Sequence, residues 1–397
     1  MFKRKILEKI ELFLDTNDIL LFYGARQVGK TSLMKIIQQD YIKNKDTYFF
    51  DLENPDYLKL LNQNPNIFIE FLKSYYAWKE EEQIVIFIDE VQYLDNPTNF
   101  LKYIYDNFPN IKMIISGSST LEIRGKLADS LVGRIIKFDI LPLSFEEFLI
   151  FKQKNNLASL IGKVGKFEII DNEIKFFYEE FCKFGAYPKV VLANDMTVKK
   201  EYLKQIYSTY IEKDIRDIGK IRQVEKFNNL LKVLANQSGN IVNFSEISNT
   251  LGITIKTLNE WLFLLENTFV IKIIKPFSTN LRGEITKMPK IFFIDNGLRN
   301  FIENDFENIT GNSFENSFFN YIHNAYKAEK INFYRTADKK EIDFILDKIP
   351  YELKLSYNGK KLIALDYFQN KYDKVGNVIC LKKSTNPNYN VFFPWEV

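Results

Sequence analysis

The sequence predicts an α/β protein: a parallel sheet covered by helices, then helical regions and an α+β carboxyl-terminal part. Three observations predict it. Apolar runs at 19–23, 47–50, 84–88, 111–115 and 134–140 alternate with stretches of helical periodicity, the pattern of a parallel sheet with helices on its faces. Directly after the first run, residues 24–31 read Gly-Ala-Arg-Gln-Val-Gly-Lys-Thr, a complete G-x-x-x-x-G-K-[ST] loop between a strand and a helix. At Leu141-Pro142-Leu143 the alternation stops and helical patterns take over.

The elements follow in order. Residues 2–15 place Ile6, Leu7, Ile10, Leu12 and Phe13 at helical spacing, a lead-in helix before the sheet. Ser144 with Glu147 forms a capping box that opens a new helix, and helices run to about residue 222 with a turn at Gly185-Ala186-Tyr187-Pro188. Phe227, Leu230, Leu231 and Leu234 line the next helix. Ser245 is expected to cap a short helix ending at Leu251-Gly252, and Thr254 to open a third bearing Leu258, Trp261, Leu262 and Leu265. The β-prone run 269–274 follows like a wing, so this stretch predicts a winged helix-turn-helix. Beyond about 280 come a helix at 313–328, strands at 331–336, 341–347 and 350–356, a helix from about 360 and a strand near 377–382. The expected domains are 1–140, 141–222, 223–278 and 279–397.

Composition narrows the function. A chain of 397 residues with 46% apolar and 15% aromatic side chains is globular and holds several cores. A formal charge of +3 gives no strong overall field toward nucleic acid or an anionic membrane. Two distant cysteines, Cys182 and Cys380, argue for a reducing compartment and against a thiolate zinc site. One histidine, His323, removes histidine metal clusters and Ser-His-Asp chemistry. The basic start is interrupted by Glu8 and Glu11, and no apolar run reaches membrane-spanning length, so a cytoplasmic protein without membrane contact is expected.

The chemistry concentrates around the glycine-rich loop. Gly24, Ala25, Arg26, Gln27, Val28, Gly29, Lys30, Thr31 and Ser32 form the expected nucleotide-binding set, in which backbone N–H groups and a helix N-terminus face a triphosphate. Lys30 supplies charge at the β/γ-phosphates and the Thr31 hydroxyl is a Mg²⁺ ligand. The run at 84–88 ends in Asp89-Glu90, where Asp89 can hold Mg²⁺ and Glu90 can polarise an attacking water. Ser116, in Ser116-Gly117-Ser118-Ser119 after the next strand, is a candidate γ-phosphate sensor, and Arg124 and Arg134 are arginine-finger candidates, with Arg134 favoured.

These motifs, with Pro142-Leu143-Ser144-Phe145-Glu146-Glu147, Tyr210-Ile211-Glu212-Lys213-Asp214, Phe292-Phe293-Ile294-Asp295-Asn296-Gly297-Leu298 and the Gly-Asn-Ser-Phe-Glu-Asn run at 311–316, resemble the archaeal and bacterial AAA-type ATPases fused to a DUF4143-type carboxyl-terminal region. The resemblance covers nearly the whole chain. It implies a P-loop NTPase with ATP as its nucleotide, a helical lid, and an ASCE-type sheet with the catalytic strand next to the Walker A strand.

Farther on, Asp343 in one strand and Glu352 with Lys354 in the next resemble the D…ExK core of PD-(D/E)xK nucleases, a restriction-endonuclease-like fold, with Glu315 a possible fourth member. Period-two alternation puts Glu352 and Lys354 on one face within reach of Asp343. Two carboxylates would hold a second Mg²⁺, with Lys354 orienting a water. An active nuclease, an inactive nuclease-like scaffold and a different fold all remain open. Lys256, Thr257, Asn259, Lys272 and Lys275 could meet DNA, but interdomain docking is the favoured role of the winged helix. Three functions are carried forward: an ATP-driven switch, an ATP-licensed nuclease acting on DNA or RNA, and an ATP-liganded DNA-binding regulator. A protein client and self-assembly are further candidate partnerships.

Overall fold

The computed structural model describes residues 2–117, 131–163, 167–216, 219–278, 288–325, 330–383 and 388–397. The chain divides into two compact units, Met1–Leu141 and Pro142–Val397.

The first unit is built on a parallel sheet of β1 (Ile19–Tyr23), β2 (Asp46–Asp51), β3 (Ile84–Asp89), β4 (Ile111–Gly117) and β5 (Ile135–Asp139), in the order β2-β3-β4-β1-β5. The three central strands are buried along their whole length, which is why they read as continuous apolar runs and not as alternating ones. Its helices are α1 (Ile6–Glu11), α2 (Lys30–Ile36), α3 (Pro55–Leu61), α4 (Pro65–Tyr75) and α5 (Pro97–Asn107). Three of them start alike. Asn54, Asn64 and Asn96 cap α3, α4 and α5 by accepting the N–H of Asp56, Asn66 and Asn99, and each is followed by a proline that needs no N–H partner.

Because every strand runs the same way, the chain after β1, β3 and β4 emerges at one edge of the sheet, where ligands of open α/β sheets bind. The neighbour of β1 is β4, carrying Ser116; the acid-bearing β3 lies one place further out. The expected adjacency of the acid-bearing strand to the phosphate-loop strand is thus corrected: β4, with its hydroxyl, is inserted between β1 and β3 and pairs with both.

The second unit opens with α6 (Phe145–Phe151), whose capping box between Ser144 and Glu147 is present, and α7 (Asn155–Ala158). Then come α8 (Glu168–Phe184), α9 (Pro188–Leu192), α10 (Met196–Ile206) and α11 (Val224–Asn236). After α8, Gly185 has φ 69°, and a Cβ there would lie 2.2 Å from the Asp295 carboxylate, so only glycine fits. That carboxylate accepts the Ala186 N–H at 2.6 Å and caps a later helix through Leu298 N–H at 2.9 Å.

Helices α12 (Phe244–Leu251) and α13 (Ile255–Asn267) are joined through Gly252 in the left-handed region. Asn243, not Ser245, caps α12: its side chain accepts from Ser245 and Glu246 N–H, which leaves Ser245 inside the first turn. Thr254 caps α13 as expected. Strand β6 (Ile271–Ile274) pairs antiparallel with β7 (Lys290–Phe293). Helices α14 (Asn296–Glu303) and α15 (Gly311–Asn324) lead to the last sheet: β8 (Ile331–Arg335), β9 (Glu341–Leu346), β10 (Ile349–Lys354), β11 (Asn377–Cys380) and β12 (Asn390–Phe392), in the order β12-β11-β10-β9-β8. Helix α16 (Ile363–Tyr372) packs Leu365 and Phe368 against Tyr334, Ile342, Ile345 and Val378. Strand β12, absent from the sequence reading, is three residues long. Among the described residues no helix is long and apolar enough to cross a membrane.

His323, near the end of α15, stacks on Phe319 with ring centroids 5.1 Å apart. Burial, with Lys272 adding repulsion, pushes its pKa down to about 4. The neutral ring is therefore the form that folds. Its contribution is full above the unfolded value near 6.5 and is lost as pH falls toward 4, where the unfolded chain takes up the proton first. His323→Phe is expected to flatten the fall in melting temperature between pH 6.5 and 4. An unchanged acid profile in that variant would place the sensitivity elsewhere.

Candidate functional site

The loop after β1 wraps tightly. A Cβ on Gly24 would lie 2.1 Å from the Ile140 carbonyl oxygen, so the loop leaves the sheet against the exit of β5 with no room for a side chain. Gln27 and Gly29 take positive φ (62° and 95°), and Gly29 is the residue from which α2 starts. Ala25 and Val28 are buried, Arg26 is half-buried, and Gln27 and Ser32 are exposed. The Lys30 ammonium, 4% exposed, donates to the carbonyls of Gly24 at 3.2 Å and Ala25 at 2.9 Å. Burial lowers the Lys30 pKa, and the nearby Glu90 and Asp89 carboxylates oppose that shift.

Asp89 sits between two hydroxyls. Thr31 Oγ1 donates to its Oδ2 at 2.5 Å and Ser116 Oγ donates to its Oδ1. Burial raises the Asp89 pKa; the two hydroxyl bonds oppose the rise. Ser116, fully buried, also accepts the Glu90 N–H at 3.1 Å. Glu90 occupies the left-handed region (φ 56°, ψ 48°), a strained setting for a non-glycine residue, and its carboxylate accepts from the Gln92 side chain. Lys30, Thr31, Asp89, Glu90 and Ser116 thus meet at the carboxyl edge of β1, β3 and β4. The hard oxygens of Thr31 and Asp89 fit a Mg²⁺ ion that also takes phosphate oxygens.

Arg134 lies elsewhere. Its carbonyl accepts the Ile19 N–H at 2.8 Å, at the amino-terminal ends of β1 and β5, so it stands at the sheet edge opposite the loop. Its guanidinium pairs with Asp106 at 2.9 Å and lies over Tyr105. As an arginine finger for its own loop it is ruled out by position: a strand's length separates the two. Arg124, Ser118 and Ser119 fall outside the described residues.

One residue of this site carried no signal in the sequence. Arg4, 9% exposed, donates to the Val28 carbonyl at 3.1 Å and to the Leu141 carbonyl at 3.0 Å. It ties the loop's crest to the chain leaving β5. In the sequence it is one charge in a basic start, with nothing to mark an acceptor 24 residues away.

At the carboxyl-terminal end, β9 and β10 form the expected antiparallel pair, with Phe344 opposite Tyr351. Leu353 N–H donates to Asp343 Oδ2 at 2.8 Å, and Lys354 Nζ holds Glu352 Oε1 at 2.7 Å. Asp343, Glu352, Lys354 and Glu315 are brought together, but the sequence reading missed the cation among them. Lys290, at the start of β7 and 1% exposed, lies 2.9 Å from Glu341 Oε1, 3.5 Å from Asp343 Oδ1 and 3.6 Å from Glu315 Oε2. Burial alone would lower its pKa; Asp343, Glu315 and Glu341 together raise it. Burial and the Asp343 charge push Glu315 up to about 8 and Glu352 up to about 7. Among the described residues no three His, Cys, Asp or Glu side chains are disposed to hold a metal ion. The expected second Mg²⁺ site at Asp343 and Glu352 does not fit this donor set, because a lysine ammonium already lies against Asp343 and its neighbours.

Fold and loop together give the first unit the architecture of a P-loop domain. Residues 16–149 match the family described as an AAA domain, residues 176–308 a domain of unknown function, DUF8612, and residues 310–396 a domain of unknown function, DUF4143. An uncharacterized protein of Haemophilus influenzae is 28% identical over 308 residues, covering 75% of this chain and 72% of that protein. An uncharacterized protein of Methanocaldococcus jannaschii is 30% identical over 305 residues; the match covers 75% of this chain but only 65% of the relative's length. Among solved structures, the Walker-type ATPase PABY2304 of Pyrococcus abyssi has a similar fold, with a TM-score of 0.50, 18% identity, and coverage of 76% of this chain and 96% of that one.

Two substitutions check the loop. Arg4→Ala is expected to weaken nucleotide binding about tenfold, the equivalent of one lost charge-assisted hydrogen bond, with the far-ultraviolet circular dichroism kept. Gly24→Ala, which drives a methyl into the Ile140 carbonyl, is expected to abolish binding in the same titration.

Proposed function

We propose that this chain binds ATP with Mg²⁺ in the loop at 24–32 and hydrolyses it, and that the nucleotide state acts as a switch on the rest of the chain. One observation carries the reading: Ser116 joins the Asp89 carboxylate to the Glu90 backbone, while Asp89 also holds Thr31. A single buried network thus connects the loop, both acids and the adjacent strand. The similar fold of a protein described as a Walker-type ATPase agrees with it.

The geometry supports the following division of labour. Lys30 is stored on loop carbonyls with its charge desolvated, so transfer of its ammonium to phosphate oxygens exchanges neutral acceptors for anionic ones. Thr31 and Asp89 would hold the Mg²⁺, which neutralises developing phosphate charge when bound. Glu90, turned out of the strand by its left-handed backbone and steadied by Gln92, is the base that polarises water. Ser116 positions both acids. Arg134, at the far edge of the sheet, would serve as an arginine finger only in a neighbouring copy of the chain.

The helical region, the α12–α13 pair with the β6–β7 hairpin, and the carboxyl-terminal sheet are the proposed receivers of the switch. A second reading has support from the paired helices: Asn243 and Thr254 cap them across the Gly252 turn, and Lys256 and Asn259 are exposed on α13, as in a winged helix-turn-helix that meets DNA. Under that reading, duplex binding weakens steeply with salt, and Lys256→Ala lowers it across all sequences alike.

Glu90→Gln is expected to keep ATP affinity within a fewfold and cut steady-state hydrolysis by about 10²–10⁴-fold, the usual contribution of a positioned base. Lys30→Ala is expected to lose both. Phosphate release by Glu90→Gln at the wild-type rate would remove Glu90 from the chemistry.

A further inference from the structure

We propose that Lys290 is the resident cation of the carboxyl-terminal acidic cluster, taking the place of a divalent ion and fastening the β6–β7 hairpin to the last sheet. The cluster is then a charge-balanced joint and not a hydrolytic metal centre.

The distances suit an ammonium. Its contacts of 2.9–3.6 Å are those of charged hydrogen bonds and close ion pairs, whereas Mg²⁺ demands oxygens at about 2.0–2.1 Å in near-octahedral array. The surroundings are those of a cation cage. Three carboxylates, Glu315, Glu341 and Asp343, face the nitrogen, and the Phe333 ring lies 5.6 Å from it. The walls are close: a Cβ on Gly239 would stand 2.8 Å from Glu315 Oε2.

The ammonium is also tethered. The Lys290 backbone pairs with Ile274 across the hairpin and bridges to Ile241, so the residue is fixed on two sides. A divalent ion entering the cluster would meet this charge at short range. The remaining acid is accounted for without a metal. Lys354 holds one oxygen of Glu352 at 2.7 Å, and the Arg335 guanidinium lies 3.6 Å from the second oxygen of Glu341.

The arrangement has a structural consequence. Lys290 lies in the stretch matched to DUF8612, while Glu315, Glu341 and Asp343 lie in the stretch matched to DUF4143. The cluster is thus the charged fastening between two regions that family comparison treats as separate.

The test uses the full chain, free of nucleotide, titrated with Mn²⁺ and followed by the paramagnetic resonance of the free ion. Wild type is expected to bind no Mn²⁺ that depends on Asp343: wild type and Asp343→Asn give the same free-ion signal up to about 1 mM. Lys290→Met, which leaves the carboxylates unbalanced, is expected to melt several degrees lower in chelator and to gain one Mn²⁺ site per chain that Asp343→Asn removes. Stoichiometric Mn²⁺ binding by wild type, lost in Asp343→Asn, would overturn the proposal even if Lys290→Met failed to fold. A Lys290→Met protein with undiminished melting temperature and no Mn²⁺ site would overturn it as well, since the lysine would then balance nothing.

Discussion

A buried carboxylate with two hydroxyl donors is the constraint on which the first unit's site depends. Asp89 has almost no solvent, and burial opposes its charge. What makes the charged form tenable is Thr31 from the phosphate loop and Ser116 from the neighbouring strand. Thr31 comes from the start of α2 after β1 and Ser116 from the end of strand β4, so the carboxylate can be satisfied only if β1, β3 and β4 end at the same level. The parallel register provides that level, and the glycine at position 24, pressed against the Ile140 carbonyl, provides the entry of the loop. Fold and site are in this sense one problem: the polar network cannot close unless the sheet is aligned, and it fixes the loop once closed.

Much of this unit was legible in the chain, and the reason is locality. A phosphate loop is written in eight consecutive residues, and the strands of a sheet buried on both faces are written as unbroken apolar runs. The Asn-Pro helix starts are equally local, although the reading of the sequence did not draw on them. What sequence could not display was which end of a strand a residue faces across the sheet. Arg134 adjoins β5 in the chain, yet its carbonyl bonds to Ile19 at the amino-terminal edge, so closeness to the strand gave no closeness to the loop. Arg4 failed in the opposite direction. Its two acceptors, Val28 and Leu141, are 24 and 137 residues away, and no spacing rule reaches that far.

The second unit repeats the lesson with charge. Alternation in β9 and β10 correctly brought Asp343, Glu352 and Lys354 to one neighbourhood, and Glu315 joined them from its helix. The sequence held no indication that Lys290, from a different hairpin, would enter the same place. A carboxylate cluster read from its own strands looks like a metal site; its chemistry depends on the cation that the rest of the fold delivers. Ser245 was a smaller case of the same kind, displaced as a cap by Asn243 two residues earlier, whose side chain reaches both free N–H groups.

The central claim is that the loop at 24–32 is an anion cradle for a magnesium-complexed nucleoside triphosphate. Isothermal calorimetry of the folded chain with ATP and Mg²⁺ tests it most directly. The account predicts saturable heat with one nucleotide per chain, and none in the Lys30→Ala protein. A wild-type chain that gives no heat with ATP and Mg²⁺ at millimolar concentration would contradict it.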